Sequence, residues 1–335
     1  MTDVCYVGNF SASHSTENDV RRAFEHLGHQ VDPVEETQAL FWLQSVEGFA
    51  RLRDRMLDTD LVLHTMTQGA YGPGMTDLWA CCAEAGIPTA SIHLDLFYGL
   101  SSPKDSGPQR CDLPRLHPMF RVDHVFTADG GHDAEFARDG VNHHWLPPAV
   151  CHAEAVDVAP NRERWPQDVA FVGSTGYHPE WWHRDRMVTA LAKRYGDRFV
   201  HVGNGGQPTV RGLALNELYA SVPVIVGDYC FAQRGSRYWS DRFCEVWGRG
   251  GYLVFPQTDA LAEQVGPYPS WDVAQGFDAM CDAIDLALGD AYHRDGTRER
   301  LAAVIRAEHT YLNRVQTILD VTSQLALPAI NWRAP

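Results

Sequence analysis

The chain has 335 residues, of which 44% are hydrophobic and 21% charged, and a formal net charge of −15. The length suits two domains of ordinary size, and the composition excludes a disordered or low-complexity chain. The negative charge is concentrated in residues 1–150, where 10 Lys and Arg stand against 21 Asp and Glu. That balance disfavours a polyanionic partner gripped by its phosphates.

No apolar run reaches membrane-spanning length, and MTDVCYVGNF has no basic stretch ahead of an apolar core, so neither a span nor a signal peptide is predicted. The eight cysteines, Cys230 among them, form no CxxC pair and no zinc-type spacing with histidine. They read as small buried hydrophobes of a reducing cytoplasm, with no structural metal.

In chain order, VCYV (4–7) reads as a buried strand broken at Gly8, and Val20, Ala23, Phe24 and Leu27 put one apolar face on a helix over 16–27. Thr16 is the predicted N-cap, and Gly28 the stop. An extended piece follows over 30–34, then a helix (49–57), strand (60–64), helix (75–85), strand (87–93), strand (122–127) and short helix (132–139). Strands alternating with helices predict a parallel sheet covered on both faces. Residues 145–166, with LPPAV and APNRERWP, break the rhythm and read as a linker. The alternation then resumes: strand 168–173, helix 182–195, strand 199–203, helix 212–221, strand 222–228, helix 237–247 and strand 252–255. A helical tail from 277 to about 325 is predicted to break near Gly289 and Gly296. The prediction is α/β, with two tandem Rossmann-like doubly wound domains facing a cleft. Residues 1–150 form the first, 151–310 the second, and 311–335 a tail packing back on the first. Ligands in such folds bind at the carboxyl ends of the strands.

Five stretches carry candidate chemistry. GNFSASHSTE follows the first strand: Gly8 permits a tight turn, and His14 offers a titrating imidazole or is a solvated loop histidine. In SIHLDL, His93 and Asp95 alternate with apolar residues and so share a side, where they deprotonate a hydroxyl or merely pair with each other. In FVGSTGYHPEWWHRDR, Gly173 and Ser174 form a small-residue turn suited to a phosphate or sugar hydroxyl, with Trp181 and Trp182 as packing residues. HVGNGGQ places Asn204 and Gly205 after a strand, where backbone groups can read a planar base or simply turn the chain. In SDRFCEVWGRGGYLVFPQ, Glu245 can accept from a vicinal diol, and Arg242, with Arg234 and Arg237 ahead of the stretch, can neutralise a diphosphate. The competing reading is an exposed i,i+4 charge pattern.

Taken in order, WLPPAV, DVAFVGS, VHVGNGG, LNELYASVPVIVGD, SDRFCEVWGRGGYLVFPQTDAL and EHTYLNRVQTIL resemble the CgeB-like (spore-maturation type) glycosyltransferases of the GT-B fold over about 180 residues. VGNFSASHSTENDVRRAFEHLGHQV and GIPTASIHLDL extend the resemblance more loosely into the first half. The resemblance implies a cytoplasmic, metal-independent transferase with no cofactor beyond its nucleotide-sugar donor, a UDP-sugar first among candidates. It makes Glu245 the donor-ribose ligand, Arg242 and then Arg237 the diphosphate partners, Gly173 and Ser174 donor-side, Asn204 and Gly205 base-side, and His93 a contact of the transferred sugar. Related retaining enzymes carry a Glu where this chain has Arg237; if the enzyme inverts, His14 with Asp95 forms the base dyad. The acceptor is left open among a small molecule, a glycan, a protein and a modified DNA base. Three rival functions remain: a phage-type DNA-modifying glycosyltransferase, a nucleotide-sugar epimerase of the same fold, and a non-catalytic binding module.

Overall fold

The computed structural model of the protein describes residues 1–65, 74–100, 110–176, 183–229 and 236–323. Trp181, Trp182, Cys230, Arg234 and the tail beyond residue 323 lie outside the described residues.

The first half runs β1 (Asp3–Gly8), α1 (Thr16–His26), β2 (Gln30–Glu35), α2 (Glu36–Trp42), α3 (Val46–Leu57), β3 (Leu61–His64), α4 (Gly74–Ala85), β4 (Thr89–His93), α5 (Leu113–Leu116), β5 (His124–Thr127), α6 (Asp133–Arg138) and β6 (His143–Trp145). Its sheet is parallel, in the order β2-β1-β3-β4-β5-β6. In β1, five successive residues are buried, the signature of a strand covered on both faces. Two separate apolar clusters flank the sheet, one holding Val7, Leu52 and Phe120 and the other Tyr6, Phe24 and Phe126.

The second half runs β7 (Val169–Val172), α7 (Arg184–Tyr195), β8 (Phe199–Val202), α8 (Leu213–Ser221), β9 (Val224–Val226), α9 (Asp241–Gly248), β10 (Leu253–Pro256), α10 (Asp259–Val265), β11 (Ser270–Trp271), α11 (Gly276–Gly289), α12 (Ala291–Glu308) and α13 (Tyr311–Ser323). Its sheet is parallel, in the order β11-β10-β9-β7-β8, around a core of its own that includes Phe171, Phe243 and Trp247. The α/β architecture with two parallel sheets is therefore as the sequence predicts.

Several local expectations change. Ser15, not Thr16, caps α1, its Oγ accepting from the Asn18 amide at 3.2 Å. The helix expected from 237 starts only at Asp241. Residues before it are held elsewhere, Arg237 by an antiparallel bridge to Gly130, with its amide donating to the Gly130 carbonyl at 2.8 Å. Gly296 does not break α12: an isolated glycine costs a helix only about 1 kcal/mol, and this one is capped by Asp290 and anchored through buried Leu301 and Ile305. Gly250, at φ 81°, turns the chain out of α9 in a conformation closed to other residues, and so explains one glycine of the run after Glu245.

The chain passes between the two sheets twice, and the crossings are bonded to each other. The Val150 amide donates to the His309 carbonyl at 3.1 Å, and the Tyr311 amide to the Val150 carbonyl at 3.0 Å. Buried Arg314 donates to the carbonyls of Pro147 and Pro148, satisfying backbone groups that the proline segment would otherwise strand. Beyond the crossing, α13 lays Tyr311, Val315 and Ile318 into the cluster around Phe24 and Val20 of α1. Ile318→Ala is expected to cost about 2–5 kcal/mol through the cavity it leaves, whereas the exposed Gln316→Ala should stay within about 0.5 kcal/mol; urea unfolding of the two variants reads the difference.

Candidate active site between the two sheets

β1 and β7 both end on the same space. Beyond β1 the chain turns through residues 9–15, which carry His14, and enters α1 with Asp19 in its first turn. Beyond β7 come Gly173 and Ser174. A cavity of about 490 Å³ lies between, lined also by Glu154 of the linker, by α8, by α9 with Arg242 and Glu245, and by Tyr311. A concave, polar site at strand ends is where this architecture places ligands.

One cluster in the lining carries arginines. Asp228, just past β9, is wholly buried and takes Arg184 through both its oxygens, at 2.8 and 3.1 Å, and Arg242 at 2.7 Å. His183 stands 3.5 Å away. Burial by itself would raise this carboxyl, but the His183 hydrogen bond and the charges of Arg242 and Arg184 outweigh it and hold the group well below the usual carboxylate range. Arg242 also donates to the Val172 carbonyl at 2.9 Å and Arg184 to the Ser174 carbonyl at 2.9 Å, so both guanidinium groups are fixed against the β7 turn. A Cβ on Gly173 would stand 2.7 Å from Arg242 Nη2, so only glycine leaves that guanidinium in place. Two arginines held on one carboxylate at the cavity lining are a setting for an anion.

A second cluster in the lining is built around Arg249. From the C-terminal end of α9, its Nε donates to Glu245 Oε2 at 2.6 Å, one helical turn back. Nη1 donates to Asn216 Oδ1 at 2.8 Å, and Nη2 to Glu154. Glu154 in turn faces His14 Nδ1 at 3.3 Å. Burial pushes the Glu245 carboxyl up to about 7; the Arg249 charge and hydrogen bond oppose that rise, and Asp241 and Asp19 add to it.

The structure thus gathers Glu245, Arg242, Gly173, Ser174 and His14 around one cavity. It does not bring the remaining sequence candidates into that lining. Arg237 lies apart, paired with Glu263 at 3.2 Å and stacked over Trp145 with its guanidinium 4.6 Å from the ring centre, because it precedes α9 rather than riding on it. His14 does not meet Asp95: His14 is held by Glu154, and Asp95 by Arg110 at 3.5 Å. His93, at the end of β4, packs on Phe97 with ring centres 4.9 Å apart, and burial lowers its pKa. Asn204 serves the β7 turn through its carbonyl, which accepts from the Thr175 amide at 3.0 Å. Gly8 is a packing position, where a Cβ would stand 2.8 Å from Glu17 Cγ. Sequence reasoning missed Asp228, Glu154 and Arg249. Arg249 had a signal, since it sits four residues after Glu245 at the spacing of a helical ion pair. Asp228 and Glu154 lie in segments distant in sequence and had none.

Residues 183–320 match the family model described as glycosyl transferase-like. No curated protein matches the sequence. Among solved structures, an α-glucosyltransferase in complex with UDP and a 13-mer DNA containing an HMU base superposes with a TM-score of 0.68 at 11% identity, covering 96% of this chain and 99% of that one. Anabaena HepE in complex with UDP and glucose gives 0.64 at 11% identity over 97% and 100%. A UDP-forming α,α-trehalose-phosphate synthase from Burkholderia xenovorans gives 0.63 at 12% identity over 98% and 100%.

The fold is GT-B. In GT-B terms the cavity lies in the cleft between the two Rossmann-like units. No described helix is long and apolar enough to cross a membrane, and no group of three or more His, Cys, Asp or Glu among the described residues could hold a metal ion.

Asp228 is wholly buried and is the carboxylate on which the Arg184 and Arg242 guanidinium groups converge. Asp228→Ala is therefore expected to cost roughly 3–5 kcal/mol at neutral pH, measured by denaturant unfolding. The folded pKa of Asp228 is depressed, so its contribution is complete above the ordinary value of 3.8 and is lost as pH falls below it. The stability gap between wild type and variant should close on that acid side.

Proposed function

We propose that the protein is a glycosyltransferase of the CgeB-like type, transferring a sugar from a UDP-sugar to an acceptor hydroxyl. The observation that carries this reading is one cavity, at the carboxyl ends of β1 and β7, whose lining holds both an ion-paired carboxylate, Glu245, and an anchored arginine, Arg242, three residues apart on α9. The glycosyl transferase-like match over residues 183–320 and the UDP-bound proteins of the same fold support it.

Glu245 takes the two ribose hydroxyls of the donor, since an ionised carboxylate offers acceptors on both oxygens. Arg242, whose Nη2 stands beside Gly173 in the cavity lining, receives the diphosphate and stabilises the charge that develops on it as the glycosidic bond breaks, while Arg184 holds Asp228 and the Ser174 carbonyl behind it. That role needs fixed donors aimed at the leaving group, and it makes the chemistry metal-independent. Closure of the two units over the cavity excludes water that would hydrolyse the donor. Of the three groups named as catalytic candidates, His14 lines this cavity, while His93, at the end of β4, and Asp95, two residues on, lie outside its lining.

A second reading concerns the acceptor. The α-glucosyltransferase solved with DNA favours a modified base, and the surplus of 11 negative charges in residues 1–150 weighs against it. Retention on DNA at low salt that falls steeply with added salt would decide for the base.

A thermal-shift series with UDP-, GDP-, ADP- and dTDP-glucose should show stabilisation by the UDP-sugar, because a ligand of the folded state raises the melting point. No shift with any of the four would remove the donor site from consideration. Glu245→Ala is expected to weaken UDP-glucose binding about ten- to a hundredfold, the loss of hydrogen bonds to a charged acceptor, in isothermal titration.

A further inference from the structure

Arg249 is 4% exposed and its guanidinium is already committed. Nε serves Glu245, Nη1 serves Asn216 and the Gly212 carbonyl, and Nη2 serves Glu154. It is therefore not built to meet a ligand's phosphate. One guanidinium is instead shared by two carboxylates, Glu245 from α9 and Glu154 from the linker. The second is tied to His14 on the far side of the cleft at 3.3 Å. Arg249 occupies Glu245 Oε2, and among the described residues Oε1 has no hydrogen-bond partner.

We propose that Arg249 and Glu154 are positioning residues for the donor: Arg249 fixes Glu245 and favours its ionised form, while Glu154 draws on the same guanidinium and tempers that effect. This rests on the reading of Glu245 as a ribose ligand. A carboxylate accepts from both ribose hydroxyls only when ionised, so donor affinity follows the charge on Glu245. Around it stand Asp241 and Arg242 on α9, Asp19 on α1, Tyr219 on α8, Tyr311 on α13, and Arg249 with Glu154 behind it. Burial, Asp241 and Asp19 raise the carboxyl to about 7 against Arg249. Small changes in the pull of Arg249 therefore alter the ionised fraction at neutral pH. The two neighbours act in opposite directions. Removing Arg249 favours the protonated form, whereas neutralising Glu154 leaves the guanidinium to Glu245 alone.

The test is isothermal titration of UDP-glucose, whose diphosphate does not titrate in the range, between about pH 5.5 and 8.5. Wild type should bind more tightly as pH rises through about 7. Arg249→Met should move that midpoint to alkaline pH by about one unit, an affinity loss of about five- to sixfold at pH 7 that approaches tenfold at lower pH and narrows at higher pH. Glu154→Gln should move it to acid pH, binding severalfold more tightly than wild type at pH 6. Arg249→Lys should recover part of the Arg249→Met loss. Thermal unfolding of each variant confirms that it is folded, and Glu154→Gln carries the test alone should Arg249→Met fail to fold. If wild type binds and both variants weaken binding equally at every pH, or leave the midpoint in place, the positioning role is overturned while the donor site stands. If wild type does not bind UDP-glucose, the donor reading falls and this proposal with it.

Discussion

A guanidinium cannot leave water without counter-charges, and Arg249 has left it almost completely. Its position at the C-terminal end of α9 is fixed by the helix, so the carboxylates must come to it. Glu245 does so from one turn back, Glu154 from the linker, and Asn216 from α8 with a neutral oxygen. That single requirement draws the linker between the two sheets against the second sheet's helices. Through the Glu154–His14 pair it also draws the loop after β1 to the same point. This cluster in the cavity lining is the outcome of satisfying one buried charge.

The Asp228 cluster obeys the same rule with the signs reversed. Asp228 is the buried ion, and Arg184 and Arg242 are the groups brought to it. Two cations here answer one anion at the cavity lining. At Arg249 two anions answer one cation. α9 carries a member of both clusters, Arg242 near its start and Arg249 just past its end, with Glu245 between. The helix thus holds the two clusters at a fixed spacing along one cavity, suited to a ligand that is anionic at one end and hydroxylated next to it. The paired crossings at Val150 and Thr310, with α13 laid on α1, supply the frame in which the two sheets face each other.

Much of this was legible in the chain. Runs such as VCYV and DVAFVG announce strands buried on both faces, and their alternation with amphipathic helices announces parallel sheets. The cavity-lining turn at Gly173 and Ser174 and the acid at Glu245 could be singled out because strand ends and helix faces follow from periodicity. Short elements could not: β6 and β11 are three and two residues long and owe their strand character to a neighbouring strand rather than to their own pattern. The helix boundary before Arg237 was misplaced because the competing bridge to Gly130 lies more than a hundred residues away in sequence. Burial created the remaining features. Asp228 reads as one acid among many until three basic groups converge on it, and Arg249 reads as a solvated arginine until the linker closes over it.

A structure of the protein crystallised with UDP tests most directly whether α9 presents a nucleotide-sugar site. The result expected is a ribose with its two hydroxyls on Glu245, phosphates within reach of Arg242, and Arg249 still bound to Glu245 and Glu154. A nucleotide seated elsewhere, or a ribose that leaves Glu245 untouched, would contradict it.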